Sequence, residues 1–346
     1  MSSSVPELRI AAPCLGRPLS SCKRRIKSGA RFRCLLILLG LYQLSPSLAG
    51  TSEIEGSHIE RREDAWWTGP MLAPAAETLS RGHILIERYI FEEWSPGRDK
   101  QGTLDYVLYG LTDYFSVGAI ATGGSVNKTN ARSAGFEVGD LTMVGELRLN
   151  HFTEQQPIPT ISLVLEHTFP TAAYDKLGPN SAGALGSGSH ATAVGVYAQT
   201  YVWLANGHIL RPRLDLLETF SQRTHVTGAS VYATPDGFSG YATPGNSFNA
   251  DAAIEYSLNK RWVLALDVVY HQTENTSVLG SSSLSASNAL LNYNGTIGES
   301  RGFSYAPALE FNFSAAIGVL IGVRLTPASK NVLATYAPVA AINWIL

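Results

Sequence analysis

The chain has 346 residues, a length that fits two average domains or one large β-barrel. Charged residues make up 16% of it, against roughly 25% in typical soluble domains, and the formal net charge is -2. No apolar run approaches the roughly 18 residues of a transmembrane helix, so the sequence excludes a helical membrane protein. It leaves a soluble all-β protein or a membrane β-barrel. In such a barrel apolar and polar residues alternate along each strand, so the mean hydropathy of a strand is moderate.

The charge is distributed unevenly along the chain. Residues 1–49 hold 8 of the 26 Lys and Arg and 1 of the 28 Asp and Glu, which leaves the rest with 18 basic and 27 acidic residues. Because nucleic-acid-binding surfaces are basic, we predict no nucleic-acid partner. Cys14, Cys22 and Cys34 all precede residue 50, so we predict no disulfide, thiolate metal site or Cys nucleophile in the body of the protein.

The N-terminus has the order of an export signal. A basic stretch at residues 23–33 precedes an apolar stretch at 35–44, and Ser47-Leu48-Ala49 is a small-x-small cleavage triplet. We therefore predict that residues 1–49 are a cleaved signal peptide; the alternative is a short buried helix. Residues 50–82 are predicted to form a periplasmic N-terminal tail before the barrel at 83–346.

The body of the chain alternates with a period of two residues, the period of β-strands. In residues 261–273, one face carries an aliphatic band with an aromatic residue at each end: Trp262, Leu264, Leu266, Val268 and Tyr270. This is the pattern of a lipid-facing strand, because aromatic rings favour the two headgroup levels and aliphatic side chains the hydrocarbon between them.

The predicted fold is an all-β transmembrane antiparallel β-barrel of about twelve strands. Short and long connections alternate, which is typical of short periplasmic turns and long extracellular loops. The long connections include residues 95–102, 221–246 and 274–302, the last predicted to be mobile because it is rich in Ser, Asn and Gly. The predicted strands are 83–94, 103–112, 115–122, 138–149, 160–169, 191–204, 208–220, 247–258, 261–273, 303–312, 316–325 and 334–346.

Strand phase also predicts the inner face of this barrel. The charged side chains assigned to it would be pore-lining, and eight of the twelve are acidic, so a conducting lumen would favour cations. Burying them requires pairing or water, and Arg211 and Arg213 are the expected centres of Arg–carboxylate pairing. The twelve residues are Asp140, Glu146, Arg148, Glu166, Arg211, Arg213, Asp215, Asp251, Glu255, Asp267, Glu310 and Arg324.

Two stretches resemble a known family. Residues 137–144 have the sequence Glu-Val-Gly-Asp-Leu-Thr-Met-Val, and residues 159–171 form a strand pattern that ends in Phe-Pro-Thr before a Gly-rich stretch. This order is similar to that of the MetA-pathway-of-phenol-degradation outer-membrane proteins, although Ala172 stands where Gly is common. The resemblance covers about residues 66–346. It implies an outer-membrane barrel proposed to pass hydrophobic or aromatic compounds, and it implies no catalytic residue.

We predict a bacterial outer-membrane channel for passive uptake of small solutes, hydrophobic or aromatic compounds included. Predicted partners are outer-membrane lipid, the small-molecule solute and, because the last strand resembles an outer-membrane assembly signal, the barrel-assembly machinery. No nucleotide, zinc or paired-Cys motif is present, so we predict no cofactor, no metal and no enzyme activity.

Three alternatives remain open at the sequence level. One is a non-conducting structural or surface-adhesive barrel, because twelve strands enclose little space. A second is an outer-membrane lipid hydrolase, since residues 270–273, Tyr-His-Gln-Thr, faintly resemble a His-x-Ser arrangement. The third is a soluble periplasmic β-protein.

Overall fold

The structure is a computed structural model that describes residues 59–128, 135–177, 184–283 and 290–346. The predicted signal peptide lies outside these residues. Within the described ranges, no helix is long and apolar enough to cross a membrane.

The described residues form eighteen strands, numbered in chain order. A 3-10 turn at Arg62–Asp64 precedes them. Their bounds are β1 Ile84–Ser95, β2 Arg98–Thr112, β3 Phe115–Lys128, β4 Glu137–Val138, β5 Leu141–Arg148, β6 Thr160–Phe169, β7 Ala191–Gln199, β8 Val202–Trp203, β9 Ile209–Ser221, β10 Thr224–Thr227, β11 Phe238–Thr243, β12 Ser247–Ser257, β13 Trp262–Thr273, β14 Thr276–Ser283, β15 Leu290–Ile297, β16 Ser300–Asn312, β17 Ile317–Thr326 and β18 Thr335–Ile345.

Twelve of these strands close into an antiparallel barrel. Their order is β12-β13-β16-β17-β18-β1-β2-β3-β5-β6-β7-β9, and β9 pairs again with β12. The first and last barrel strands also pair, and Ile84 and Leu346 exchange two backbone hydrogen bonds at 3.0 and 2.8 Å. The predicted fold class, a twelve-stranded transmembrane barrel, is confirmed.

The two faces of the barrel wall follow the predicted alternation. On β13, Trp262, Leu264 and Leu266 are exposed, whereas Val263, Ala265 and Asp267 are buried. Aromatic rings pair across to β16 at both ends of this strand, Trp262 with Phe311 at 4.6 Å and Tyr270 with Phe303 at 5.2 Å between ring centroids. The outer surface therefore has an aliphatic band between two aromatic levels, as a lipid-facing wall requires.

The structure places strands in three of the predicted long connections, residues 95–102, 221–246 and 274–302. Residues 95–102 are not a loop: β1 runs to Ser95 and β2 begins at Arg98, so Pro96 and Gly97 alone make the turn. Gly97 has φ +77°, a left-handed conformation that glycine adopts without steric cost. The sequence pattern missed this extension because polar residues replace the apolar alternation once the strands leave the membrane.

The second difference is a four-stranded sheet at the end of the barrel that carries the long loops. Its order is β10-β11-β14-β15, so the prediction that residues 221–246 and 274–302 are loops is wrong for these four strands. The sheet has its own core of Val226, Tyr232, Phe238, Ala242 and Val278. Ser and Gly have low strand propensity, but here backbone pairing and this core outweigh it.

Strand phase also missed one outward ion pair. Arg88 on β1 binds the carboxylate of Asp105 on β2, and the Arg88 side chain is 61% exposed on the outer face. Charges on this face are costly unless paired, which the neighbouring strand provides here.

Candidate functional site: the barrel lumen

A stretch of chain before β1 runs against the inner face of the barrel. We call residues 68–79 the lumenal segment. It starts at the short-turn end of the barrel, where the backbone N–H of Trp66 donates to the carbonyl of Lys260 at 3.0 Å. It returns to that end, where Thr78 Oγ1 donates to the carbonyl of Asp113 at 2.7 Å. The segment therefore enters and leaves the lumen on the same side.

Two carboxylates on the inner face bind the backbone of this segment. Glu310 Oε2 accepts from the N–H groups of Thr68 and Gly69 at 2.8 and 3.2 Å. Asp267 accepts three further N–H groups, those of residues 71, 72 and 73, at 3.0, 3.2 and 3.0 Å. Charge-assisted hydrogen bonds of this kind are roughly twice as strong as neutral ones.

Neutral polar side chains contribute to holding the returning half. Gln199 Oε1 accepts from the N–H of Ala76 at 3.2 Å, and Ser162 Oγ donates to the carbonyl of Ala76 at 2.7 Å. Ser116 Oγ accepts from the N–H of Leu79 at 2.9 Å. Apart from the Asp113 carbonyl, these anchors on the wall are side chains, and no β-ladder joins the segment to the barrel within the described residues.

The local sequence explains why this segment is not a strand. Pro70 and Pro74 lack the N–H that a ladder needs, and Gly69 has φ +116°, which residues with a Cβ rarely adopt. The buried N–H groups that remain must still find acceptors. The inward carboxylates of Glu310 and Asp267 supply them.

The predicted Arg–carboxylate pairs are present beside this segment. Glu255 is fully buried and accepts from Arg211 Nε at 2.7 Å and from Arg213 Nε at 3.1 Å. Arg213 Nη1 also donates to the carbonyl of Ala73 at 2.8 Å. The Arg211 guanidinium lies 4.6 Å from the centre of the Trp67 ring, a cation–π contact. Arg213 therefore joins this cluster to the lumenal segment, and Arg211 joins it to Trp67 just before the segment.

A second ion pair fixes the returning half. Arg148 Nη1 lies 2.6 Å from Glu77 Oε2. Glu77 Oε1 accepts from Thr160 Oγ1 at 3.0 Å, and His151 Nδ1 lies 3.2 Å from the same carboxylate. Glu77 belongs to the segment that the sequence assigned to a tail, so strand phase gave no reason to expect it here.

Part of the acidic surplus has no such partner. Asp215 and Asp251 lie directly opposite each other on β9 and β12. Both are buried, and among the described residues neither oxygen of Asp215 nor Oδ1 of Asp251 has a hydrogen-bond partner. Unpaired buried charge is costly, so this part of the inner wall favours water or a cation beside it.

Three other predicted residues take no part in the ion pairs of these clusters. Glu146 is buried on β5, and Tyr197 Oη lies 3.5 Å from Glu166 on β6. Asp140 lies between β4 and β5 and binds the following long loop, accepting from the N–H groups of Ala172 and Ser187 at 3.0 and 2.7 Å.

Tyr232 closes this loop network at the long-loop end. Its hydroxyl donates to the carbonyl of Ser187. Burial, with a further contribution from the charge of Asp140, raises the pKa of Tyr232 to about 12. The phenol therefore stays protonated and keeps donating at any physiological pH.

A cavity of about 300 Å³ lies against the lumenal segment. Met71 and Leu72 of that segment line one side, and Leu185 from the long loop before β7 lines another. Met71 also packs in a buried apolar cluster with Ala265, Ala306 and Leu320. The segment and this cluster therefore separate the cavity from the short-turn end.

His271, the residue behind the hydrolase alternative, lies near the long-loop end of β13. Its Nδ1 is buried and makes no hydrogen bond to any described residue. No group of three or more His, Cys, Asp and Glu in the described ranges is arranged to hold a metal ion.

Sequence comparison identifies the family. The model of the family described as "Putative MetA-pathway of phenol degradation" matches residues 84–334. The chain belongs to this family. The match begins at β1, so the lumenal segment lies outside the matched residues. A search of the curated proteins found no match to the sequence.

Structural comparison agrees on the fold. The COG4313 outer membrane channel from Pseudomonas putida F1 has a TM-score of 0.56 and 14% identity, covering 80% of this chain and 100% of that one. The Pseudomonas putida toluene transporter TodX has a TM-score of 0.43 and 10% identity, covering 82% and 94%. The NanC porin has a TM-score of 0.42 and 9% identity, covering 75% and 98%.

Proposed function

We propose that this protein is an outer-membrane channel for passive uptake of small solutes, hydrophobic or aromatic compounds among them. The observation that carries the proposal is the cavity between the long-loop end and the lumenal segment. A barrel that served only as a membrane anchor has no need for such a space, and small-molecule sites are concave and mostly apolar. The family match and the channel neighbour support the same reading.

The lumenal segment would act as the closure of this channel. Its anchors are hydrogen bonds and ion pairs from side chains, so it can leave the lumen without breaking a β-ladder. Because it enters and leaves at the short-turn end, withdrawal toward that end would join the cavity to the periplasm. The twelve inward charged residues, with Glu77, would then line or flank the open path.

A solute-permeation experiment tests this proposal. The mature chain, residues 50–346, is reconstituted in liposomes, and swelling is followed in an iso-osmotic pentose. We expect faster swelling than in protein-free liposomes, and no effect with a tetrasaccharide, since the lumen of twelve strands is narrow. Swelling at the protein-free rate by a correctly folded barrel would contradict the channel.

The second candidate is a non-conducting structural barrel. The same lumenal segment favours this candidate if it stays in the lumen permanently, because it would then block passage. The hydrolase alternative gains no support, because His271 makes no hydrogen bond to a hydroxyl group in the part of the chain that the structure describes.

A further inference from the structure

The cavity beside the lumenal segment has the size and walls of a site for one aromatic ring. Its volume is about 300 Å³, whereas a cavity of about 150 Å³ is enough to hold benzene and drug-sized ligands need about 300–1,000 Å³. Tyr89, Phe91 and Leu104 form one wall. The rings of Tyr89 and Tyr106 already meet edge-to-face at 6.2 Å, so the wall is fixed before any ligand arrives.

The charged side chains that line this cavity have a net positive charge, whereas the twelve inward charged residues of the lumen have a net negative charge. Lys100, Arg324 and Glu93 line it, which gives two cations and one anion. Glu93 lies directly opposite Lys100 on the neighbouring strand and offsets one positive charge. Glu93 also acts on Arg324, ahead of Asp251 and Asp267, and the Asp267 carboxylate already accepts three backbone N–H groups.

Arg324 is the cation left without a close partner. No carboxylate of a described residue lies within ion-pair distance of it, and Nη2 makes a long hydrogen bond of 3.4 Å to Ser304 Oγ. Its Nε is buried and has no hydrogen-bond partner among the residues that the structure describes. An unsatisfied buried donor on a charged group is costly, and a planar guanidinium binds a carboxylate through two parallel hydrogen bonds.

We propose, building on the channel function above, that this cavity binds a small aromatic carboxylate. The ring packs between Met71 of the lumenal segment and the wall of Tyr89, Phe91 and Leu104. The carboxylate binds Arg324, with Lys100 as the second cation. The site lies on the long-loop side of the closure, where a solute arriving from outside is held before passage.

Binding of benzoate and benzamide to the folded mature chain tests this assignment, because the two molecules share a shape and differ in charge. Equilibrium dialysis in detergent micelles, with empty micelles as the blank, measures both. We expect benzoate to bind about tenfold more tightly than benzamide, because one charge-assisted hydrogen bond changes a dissociation constant by about that factor. Equal affinity for the two, or no binding of benzoate above the blank, would overturn the proposal.

Variants locate the site. Arg324→Gln should weaken benzoate about tenfold and leave benzamide unchanged, and Leu104→Trp should abolish both by filling the cavity. Arg261→Gln, an exposed arginine at the short-turn end, is the matched control and should change neither. If Arg324→Gln does not fold, Lys100→Gln should still weaken benzoate selectively. If folded Arg324→Gln or folded Lys100→Gln binds benzoate as tightly as the unchanged protein does, the assigned contacts are wrong.

The outcome is separable from that of the channel. If the barrel binds benzoate but does not increase liposome swelling, the binding site is supported and the channel function is contradicted. Swelling by a barrel that does not bind benzoate would do the reverse.

Discussion

Replacing Glu255 by Gln should destabilise the barrel by about 3–5 kcal/mol, the usual cost of removing one partner of a buried ion pair. Glu255 is fully buried and forms ion pairs with both Arg211 and Arg213. Gln preserves the shape but removes the only carboxylate among the described residues that is ion-paired with these two buried guanidinium groups. Urea unfolding in detergent micelles, followed by tryptophan fluorescence, measures the loss.

The control for this substitution is Glu299→Gln. Glu299 pairs with Lys330 at the long-loop end, where both side chains are exposed. Solvent screens such a pair, so the unfolding free energy should not change measurably. If the two variants unfold alike, the buried cluster contributes no more than a surface pair, and our account of the lumen is wrong.

Leu266→Arg should cost about 2–4 kcal/mol if the residue sits at the bilayer midplane. Leu266 lies near the middle of β13 on the outer face and is 37% exposed. An arginine there must lie in hydrocarbon or displace the strand. Unfolding from lipid vesicles measures the effect.

The same substitution at Leu258 is the matched control. Leu258 is exposed just beyond β12, at the short-turn end, where the expected cost falls to about 0–1 kcal/mol. An equal cost at both positions would contradict the assigned membrane depth. Ala265→Arg, which strand phase alone would make harmless on the lumen side, is no control: Ala265 packs in the buried cluster with Met71.

The wall of the barrel could be predicted from the sequence because each strand carries its own signal. Alternation along β13 and β16 separates lipid from lumen with no knowledge of the neighbours, and a period of two leaves only two possible phases. The four-stranded sheet carried no such signal. Its strands are held by pairing between segments distant in sequence, and Gly240 faces Gly280 where neither residue favours a strand.

The lumenal segment could not be predicted for a similar reason. Residues 68–79 have no period, and their positions depend on side chains such as Asp267 and Gln199 that lie more than a hundred residues away in the sequence. Two features pointed toward it: inward carboxylates in excess of inward arginines, and a stretch with Pro70 and Pro74 whose backbone cannot form a ladder. Surplus acceptors on the wall and unpaired donors in the segment are complementary, and the structure brings them together.

Single-channel current through a barrel with a lockable lumenal segment tests the central claim most directly. Thr68 Oγ1 and Asn312 Oδ1 are 2.9 Å apart, and residues 50–346 contain no cysteine, so Thr68→Cys with Asn312→Cys gives one engineered disulfide. In planar bilayers we expect current steps from the reduced protein, their loss on oxidation and their return with reductant, while Thr68→Cys alone conducts under both conditions. Equal currents from the oxidised and reduced double variant, or no steps from any correctly folded barrel, would contradict a channel that the lumenal segment closes.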